Sequence, residues 1–431
     1  MRVLQLSTHT TLLPTHGGKL RSHHIGRVLE EEGFDLRRIA FCFRVPSDLE
    51  DPREPIIDVT PMPFWQSREY ESYGLCCDYL TDYFPTFGAL KTPFILAEFD
   101  RRVRAAAPDL VLLEHPWTWP LLARLDEVRS GALPVVYSSQ NVECVLKRTI
   151  LDERAIVAPP GIIEDVEALE RSLVVNAAGV SACTRTDAET FASWGARRVV
   201  VAPNGGVLRE REHLLDILPL PLDPSHAYAL AVGSGHPPNV SGFLNLVAPS
   251  LPLLRPEQRI VLAGGAASEI VRSLEAQGLG HMLEGRLISL GPVDEFCLDC
   301  LIANAHALLL PIQYGSGSNV KTAEALLSGR PIITTSVAMR GFDAFRGMPG
   351  VTVAEDAATL GDALMMVLQG SFQPACTDHQ ALRPLLWEST VSPLVQMLRE
   401  VETSLRIGRK PDARKANPAR KVAHASSHDS I

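Results

Sequence analysis

The chain has 431 residues, more than one hydrophobic core normally organises, which predicts two or three domains. Hydrophobic residues make up 46% and charged residues 21%, as in a globular protein, and no apolar run approaches the roughly 18 residues of a membrane span. The net charge of −9 argues against nucleic acid as the main partner, although residues 406–431 carry seven Lys and Arg against two Asp and Glu.

Short runs of Val, Leu and Ile alternate with helix-length amphipathic segments along the whole chain. This alternation predicts an α/β protein with parallel sheets and crossover helices. In the first half we expect strands near 2–7, 35–41, 109–114, 133–138, 178–182 and 197–202. The pattern restarts after a proline-containing linker, with strands near 227–235, 259–265, 286–291, 306–312 and 330–335. The sequence therefore predicts two Rossmann-like, doubly wound halves.

The first predicted strand lies at the very start of the sequence. Residues 1–10 do not read as a signal peptide, which needs a longer apolar core and a small-residue cleavage site, so we expect a cytoplasmic protein. Eight scattered cysteines fit free thiols in a reducing compartment. Cys297 and Cys300 form a C-x-x-C pair without a second pair at zinc spacing, which favours buried helix thiols over a metal or redox site.

Gly17 and Gly18 follow the first strand and stand directly before a predicted helix. Glycines there let the backbone approach a ligand closely, and a helix N-terminus attracts phosphate. The pair is not a G-x-G-x-x-G fingerprint, and no acidic residue follows where a nicotinamide site needs one. By itself it fits a structural turn as well as a phosphate site.

Residues 44–92 fit no simple strand–helix period and contain many aromatic residues among prolines and charges. Aromatic residues at this density fit either of two interpretations. They line an acceptor site, or they pack the interior of an inserted helical hairpin.

Polar residues follow two predicted strands of the first half. Glu114 and His115 end the strand at 109–114, and we expect both side chains to face a cleft, because ligands bind beyond the carboxyl ends of parallel strands. A histidine there donates to a sugar hydroxyl, holds a phosphate, or only satisfies a backbone carbonyl. Gln140, Asn141 and Glu143 are similarly placed after the next strand.

Two further loops lie near the predicted boundary between the halves. Residues 202–206, with Asn204 and Gly205, end the last strand of the first half and also fit simple turn chemistry. Residues 232–239, with Gly233 and Asn239, lie between the first strand and first helix of the second half.

The most informative segment is 308–336, where a buried strand enters a Gly/Ser loop and a helix of roughly ten residues closes at Gly329. Ser318 is the expected N-cap. Lys321 and Glu324 share a helix face near its start, where a lysine is unfavourable for the helix dipole unless an anion lies nearby. A pyrophosphate would be that anion, and Glu324 would accept hydrogen bonds from a ribose diol. The alternative is an exposed ion pair.

The end of the chain is predicted to be helical. A helix is expected near 356–369, and a long final helix over 383–406 is expected to be interrupted near Pro393. The basic tail, residues 406–431, lacks large apolar residues and is expected to be disordered. It is either a solvated extension or a weak anchor to anionic lipid.

Together these residues resemble glycosyltransferase family 4, the group 1 glycosyltransferases with the GT-B fold. The likeness covers about 1–35, 105–145 and 195–395, and its most specific piece is PIQYGSGSNVKTAEALLSGRPIITTS. The motifs VGSGHPPN, APNG, QNVE and GPVDE are similar to those of one bacterial branch. The resemblance implies two Rossmann-like domains facing each other across a cleft.

The resemblance also implies domain boundaries. Residues 1–208 would form the acceptor-side domain and residues 209–382 the nucleotide-sugar-binding domain. Residues 383–405 would be the helix that crosses back to the first domain, followed by the tail.

Carried over by position, Glu324 would hold the ribose and Lys321 would lie near the pyrophosphate. Gly17 and Gly18 would face the donor phosphates, Val293 would offer its backbone to the base, and His115 would contact the donor sugar near the reacting carbon. The predicted catalytic residues are thus His115, Lys321 and Glu324. The predicted donor-binding set is Gly17, Gly18, Asn204, Gly233, Asn239, Val293, Gly315, Ser316, Gly317, Ser318, Asn319, Lys321 and Glu324.

The sequence departs from the family pattern at two places. Ser316 stands where the family has the first glutamate of its E-x7-E motif, and Gly235, His236 and Pro237 replace the usual basic residue of the second-domain loop. Phosphate stabilisation would then depend on Lys321 and backbone N–H groups.

The expected function is transfer of a hexose-type sugar from a nucleotide-diphosphate donor to a hydroxyl acceptor on a glycan, a lipid-linked molecule or a small molecule. The resemblance implies retention of configuration. No D-x-D triplet or zinc-type histidine spacing occurs, so we expect neither metal nor cofactor. A nucleotide-sugar epimerase of the same fold and a non-catalytic nucleotide-sugar-binding subunit remain alternatives. Peripheral contact with a membrane is a further expectation.

Overall fold

The first of two parallel sheets has seven strands in the order β3-β2-β1-β4-β5-β6-β7. The computed structural model describes residues 1–12, 14, 17–46, 50–219, 221–280, 285–371 and 374–408. The strands of this sheet are β1 (Arg2–Ser7), β2 (Asp35–Cys42), β3 (Ile56–Asp58), β4 (Leu110–Leu113), β5 (Val135–Ser138), β6 (Gly179–Ala182) and β7 (Val199–Val201).

Helices cover both faces of this sheet. They are α1 (Gly17–Glu31), α2 (Arg68–Ser72), α3 (Tyr83–Leu90), α4 (Pro93–Ala106), α5 (Trp119–Leu122), α6 (Asp126–Arg129), α7 (Glu143–Glu153), α8 (Ile162–Asn176) and α9 (Arg185–Ser193). Leu110 and Leu112 of β4 pack into one core and Val111 and Leu113 into another, on the opposite face. Burial on both faces explains why these strands are continuous apolar runs.

The second sheet has six strands in the order β10-β9-β8-β11-β12-β13. The strands are β8 (Ala227–Val232), β9 (Gln258–Ala263), β10 (Leu287–Gly291), β11 (Ala307–Leu310), β12 (Ile332–Thr334) and β13 (Val351–Val353). The helices that follow the first sheet are α10 (Pro237–Gly242), α11 (Ala266–Ala276), α12 (Glu295–Asn304), α13 (Val320–Leu326), α14 (Ala357–Leu368), α15 (His379–Leu382) and α16 (Trp387–Gly408).

All eleven predicted strands form, and the predicted two-sheet parallel architecture is confirmed. The sequence did not predict β3 and β13. Each has three residues and lies at the edge of its sheet, so neither carries the apolar run that marks a strand buried on both faces.

The aromatic residues of 44–92 mainly pack against one another. Phe64, Tyr83 and Phe84 are buried in the core of the first domain, and Trp65 and Tyr70 pack against that core. The packing interpretation of this segment therefore fits the structure better than an aromatic-lined acceptor site.

The prediction that the final helix is interrupted at Pro393 is wrong. Helix α16 runs through Pro393 and packs on α1 and β7 of the first domain. A proline removes one backbone donor, which leaves the carbonyl of Ser389 without its usual partner. The Ser392 hydroxyl donates to that carbonyl at 2.8 Å, so the helix continues. The rest of the predicted tail, residues 409–431, lies outside the described residues.

Within the described ranges, no helix is long and apolar enough to span a membrane.

Candidate functional site

The site is built around the glycine–serine loop, residues 313–319, which connects β11 to α13. Strand β11 pairs with β8 near the centre of the second sheet, so the carboxyl ends of these strands place the loop beside Gly233 and the residues that follow it. Ligands of open parallel sheets bind at this edge.

Lys321 extends from α13 towards the end of β8. Its ammonium group donates to the Asn239 Oδ1 atom at 2.5 Å and to the Val232 carbonyl at 3.4 Å. Asn239 is oriented by its own donation to the Ser234 carbonyl at 2.8 Å. Lys321 is therefore held by the last residue of β8 and by a side chain of α10.

Burial lowers the pKa of Lys321 to about 8, against the opposing effect of Glu324. A cavity of about 20 Å³ lies beside it, lined by Gly233, Asn239 and apolar residues of the second domain. That volume accommodates about one water molecule. This cavity is therefore too small to hold a nucleotide sugar.

Glu324 lies one turn further along α13. Burial raises the pKa of its carboxyl, and Arg209 and then Arg211 lower it. No ion pair joins Lys321 to Glu324 among the described residues, and both side chains are largely enclosed. The alternative interpretation of an exposed ion pair is therefore wrong, because Lys321 is directed to Asn239 instead.

The two arginines beside Glu324 connect it to the predicted base-side loop. Arg209 pairs with Glu295, and at 3.0 Å with Asp299, and Arg211 pairs with Asp299 at 2.8 Å. These acidic residues lie on α12, which begins just after Val293. Val293 itself packs against the core that contains Ala323 of α13. Glu324 and Val293 therefore both border the hydrophobic core on this side of the second sheet.

Residues of the first domain lie opposite the start of α13, across the cleft between the two domains. A Cβ atom on Gly17 would lie 3.9 Å from the Val320 side chain, so the start of α1 faces the start of α13. The Gly18 carbonyl accepts from the Gln140 Nε2 atom at 3.2 Å. Gly17 therefore lies where the first domain meets α13, and Gly18 follows it beside Gln140 of the first domain.

Gly317 of the glycine–serine loop lies close against the first domain. Its φ is +70°, and a Cβ atom there would lie 2.3 Å from the Gln140 carbonyl oxygen. Only glycine fits a left-handed position with that contact.

Ser318 is not the N-cap of α13. The N-cap is Asn319, without a side-chain capping bond. The Ser318 hydroxyl instead accepts from the Asn204 backbone N–H at 2.9 Å. The predicted helix is also shorter than expected, since α13 ends at Leu326 and a turn continues to Gly329.

The remaining loop residues have local partners. Arg340 donates to the Gly315 carbonyl, and the Asn319 Nδ2 atom donates to the Ala338 carbonyl at 3.5 Å. The Ser316 hydroxyl is buried and has no hydrogen-bond partner among the described residues. Ser316 is the residue that stands where the family pattern has its first glutamate.

Gly205 and Gly206 do not face a ligand. A Cβ atom on Gly205 would lie 2.7 Å from the Trp387 backbone, and one on Gly206 would lie 2.6 Å from the Leu327 side chain. These glycines let α16 cross between the domains, which agrees with a structural turn.

His115 is buried at the carboxyl end of β4, with its Nδ1 atom 3.3 Å from the Thr8 hydroxyl and its ring edge-on to His9. The prediction that Glu114 also faces the cleft is wrong. Its side chain is 0% exposed, and its Oε1 atom accepts from Gln5 at 2.6 Å inside the domain. Neighbouring residues of an extended backbone point in opposite directions, so only one of the pair reaches the cleft.

Sequence reasoning missed Arg209, Arg211 and Arg21. Arg209 and Arg211 lie in the segment that the sequence indicated as a linker. Their acidic partners lie on α12, which is distant in sequence. Arg21 had a usable signal, because it lies four residues after Gly17 and so shares a helix face with it.

Over the described ranges, no three His, Cys, Asp or Glu side chains form a group able to hold a metal ion.

Comparisons with known proteins agree with this arrangement. The family model for glycosyl transferases group 1 matches residues 226–370, and the model for the glycosyl transferase 4-like domain matches residues 17–205. No curated protein matches the chain in sequence.

Solved structures share the fold. Sucrose-phosphate synthase from Thermosynechococcus elongatus aligns with a TM-score of 0.68 and 17% identity over 94% of this chain and 99% of that one. The Anabaena protein HepE in complex with UDP-glucose aligns with a TM-score of 0.62 and 15% identity, over 94% of this chain and 100% of that one. Trehalose 6-phosphate synthase from Burkholderia multivorans aligns with a TM-score of 0.58 and 12% identity, over 94% of this chain and 99% of that one.

Proposed function

Because the chain belongs to the group 1 glycosyltransferases and has their GT-B fold, we propose that it moves a hexose-type sugar from a nucleotide-diphosphate donor to a hydroxyl acceptor. The observation that carries the donor assignment is the enclosed Lys321 amine, held by Asn239 at the strand edge opposite Gly17. A cation kept in a low-dielectric cleft stabilises an anion far better than one in water.

The parts of the donor have separate positions in this proposal. The diphosphate lies between Lys321 and the start of α1, where backbone N–H groups of the helix also face the cleft. The ribose diol binds Glu324, and the base lies beside Val293. HepE in complex with UDP-glucose, which shares the fold, supports a nucleotide-sugar donor.

The reaction needs little covalent chemistry from the protein. The leaving diphosphate gains negative charge as the glycosidic bond breaks, and Lys321 with the backbone donors stabilises that charge. His115 is placed at the carboxyl edge of β4, where it contacts the sugar near the reacting carbon. We propose that the acceptor attacks on the same face as the leaving group, which retains the anomeric configuration.

The direct test incubates the protein with a panel of nucleotide sugars and candidate acceptors and identifies products by mass spectrometry. A glycosylated acceptor together with released nucleoside diphosphate is the expected result. Isomerised donor without acceptor would indicate an epimerase, and binding without turnover would indicate a non-catalytic subunit.

The same assay tests the proposal that no metal takes part. Turnover is expected to survive EDTA, because Lys321 and the backbone supply the positive charge. Loss of turnover with EDTA and recovery with magnesium or manganese would contradict this proposal.

A further inference from the structure

Asn204 joins the two domains at the glycine–serine loop. Its backbone N–H donates to the Ser318 hydroxyl at 2.9 Å, and its Nδ2 atom donates to the Ser318 carbonyl at 2.6 Å. The partners are 114 residues apart in sequence, and Asn204 is 6% exposed. Both of its donor groups are thus used on one residue of the opposite domain.

Arg21 sets the orientation of the Asn204 side chain. The Arg21 Nη1 atom donates to the Asn204 Oδ1 atom at 3.2 Å and to the Ala202 carbonyl at 3.0 Å. A guanidinium group only donates, so the amide oxygen must face Arg21 and the amide nitrogen must face Ser318. Arg21 lies on α1, and this connects the loop to the helix that carries Gly17.

The loop and the first domain are closely packed at Gly341. Gly341 of the second domain lies against the first-domain edge, where a Cβ atom would be 2.9 Å from the Ser318 Cβ atom and 3.3 Å from the Cys183 carbonyl. Cys183 is wholly buried, and Ser318 faces its thiol. Separation of the domains would therefore break the Asn204 bonds and expose Cys183 together.

We propose that Asn204 is a positioning residue, which fastens the glycine–serine loop to the first domain in the closed arrangement rather than contacting the donor. Ser318 lies three residues before Lys321, so the bonds to Asn204 fix the point from which α13 starts. The link to transfer rests on the proposed function. The fastening itself is independent of any substrate.

The test measures labelling of Cys183 by a maleimide in the full chain without ligand, followed by peptide mass spectrometry. Asn204→Asp keeps an acceptor for Arg21 but replaces the donor to the Ser318 carbonyl with a repelling oxygen. We expect labelling of Cys183 to become about ten-fold faster or more, since labelling follows the population of the opened state. Cys144, which is buried inside the first domain, should label at the wild-type rate.

Two controls separate this role from general destabilisation. Asn176→Asp removes a similar bond, from Nδ2 to the Ser172 carbonyl at 2.8 Å, away from the cleft, and should leave Cys183 protected. Ser318→Ala should accelerate Cys183 labelling less than Asn204→Asp, and the double variant should be non-additive because the residues share their bonds. An unchanged Cys183 rate in Asn204→Asp, or equal acceleration of Cys144, would overturn the proposal.

A kinetic measurement then connects the fastening to transfer. With the donor and acceptor found in the product assay, Asn204→Asp should lower kcat, and the conservative change Asn176→Asp should not. If the labelling result holds but the protein transfers no sugar, only the proposed function fails. If kcat is unchanged although the labelling of Cys183 is faster, the positioning role fails.

Discussion

Lys321 shows how burial and charge oppose each other at a single residue. Enclosure beside Val232 and Asn239 lowers its pKa to about 8, so the amine is charged at neutral pH but loses its proton in mildly alkaline solution. A diphosphate bound beside it would favour the protonated form. The strength of the proposed site therefore depends on pH in a range where the diphosphate itself does not titrate.

We predict that the dissociation constant of the nucleoside diphosphate changes little from about pH 7 to about pH 8 and rises above that, approaching ten-fold per pH unit. The reason is that binding needs the protonated amine, which is progressively lost above its pKa of about 8. Calorimetric titration from about pH 7 to about pH 9, above the range in which the terminal phosphate titrates, measures the effect.

The variant Lys321→Met should bind weakly at every pH, show a flat profile, and reduce transfer about 10²-fold. Lys91→Met, which removes a cation paired with Glu69 on the first-domain surface, should retain the wild-type profile. A pH-independent wild-type affinity would contradict the assignment of Lys321.

Glu324→Gln changes the charge of the proposed ribose contact with little change in shape. A carboxylate accepts two hydrogen bonds from a diol, whereas an amide accepts with one end only, at a cost of about 1–3 kcal/mol. We therefore expect the affinity for the nucleoside diphosphate to fall about ten-fold or more, and that for the 2′-deoxy nucleotide to fall much less. Titration of both proteins with both nucleotides measures this, and equal affinities for the ribonucleotide would remove Glu324 from the site.

At the scale of elements, the crossing of α16 depends on a close backbone approach at two glycines as well as on the apolar face that the helix buries against the first domain. Gly205 and Gly206 precede the crossing, and the backbone of Trp387 lies where a side chain on Gly205 would be. The Trp387 ring then stacks on His24 of α1 at 4.8 Å. The glycine pair thus fixes the final helix against the first domain.

We predict that Gly205→Ala destabilises the protein by about 1–3 kcal/mol, because the added Cβ atom would meet backbone that cannot move without displacing α16. Thermal unfolding, monitored by circular dichroism, measures the expected decrease in the unfolding midpoint. Gly347→Ala is the matched control, since a Cβ atom there has nothing within 4 Å, and its midpoint should stay near wild type. Equal midpoints for the two variants would show that α16 is not docked as described.

At the scale of the whole molecule, the charge is divided between an acidic body and the basic segment after Arg406. That segment has few large apolar residues, and Ile407 at its start is exposed. A composition of this kind offers little apolar surface to a core.

Deletion of everything after Arg406 is therefore predicted to leave the unfolding midpoint and donor hydrolysis nearly unchanged. Flotation with anionic vesicles tests the proposed membrane contact, for which the full chain should be recovered with the vesicles more than the truncated one. Equal recovery would reject the segment as an anchor.

The sequence by itself determined the elements and the place of the site. Apolar runs of strand length, flanked by helical periods, indicated eleven of the thirteen strands, and the glycine–serine loop before Lys321 marked the strand edge at which we propose that the donor binds. These features are local, so a window of a few residues contains them. The edge strands β3 and β13 lacked such a signal.

The partners within the site were decided only by the tertiary structure. Lys321 meets Asn239 because β8 and β11 are neighbours in the sheet, although the residues are 82 apart in sequence. Ser318 bonds Asn204 instead of capping its own helix, and Arg209 and Arg211, from an apparent linker, pair with acidic residues of α12 and lower the pKa of Glu324. Strand order and domain closure bring these residues together, and neither is encoded in a local pattern, because both depend on how distant apolar surfaces are buried against each other.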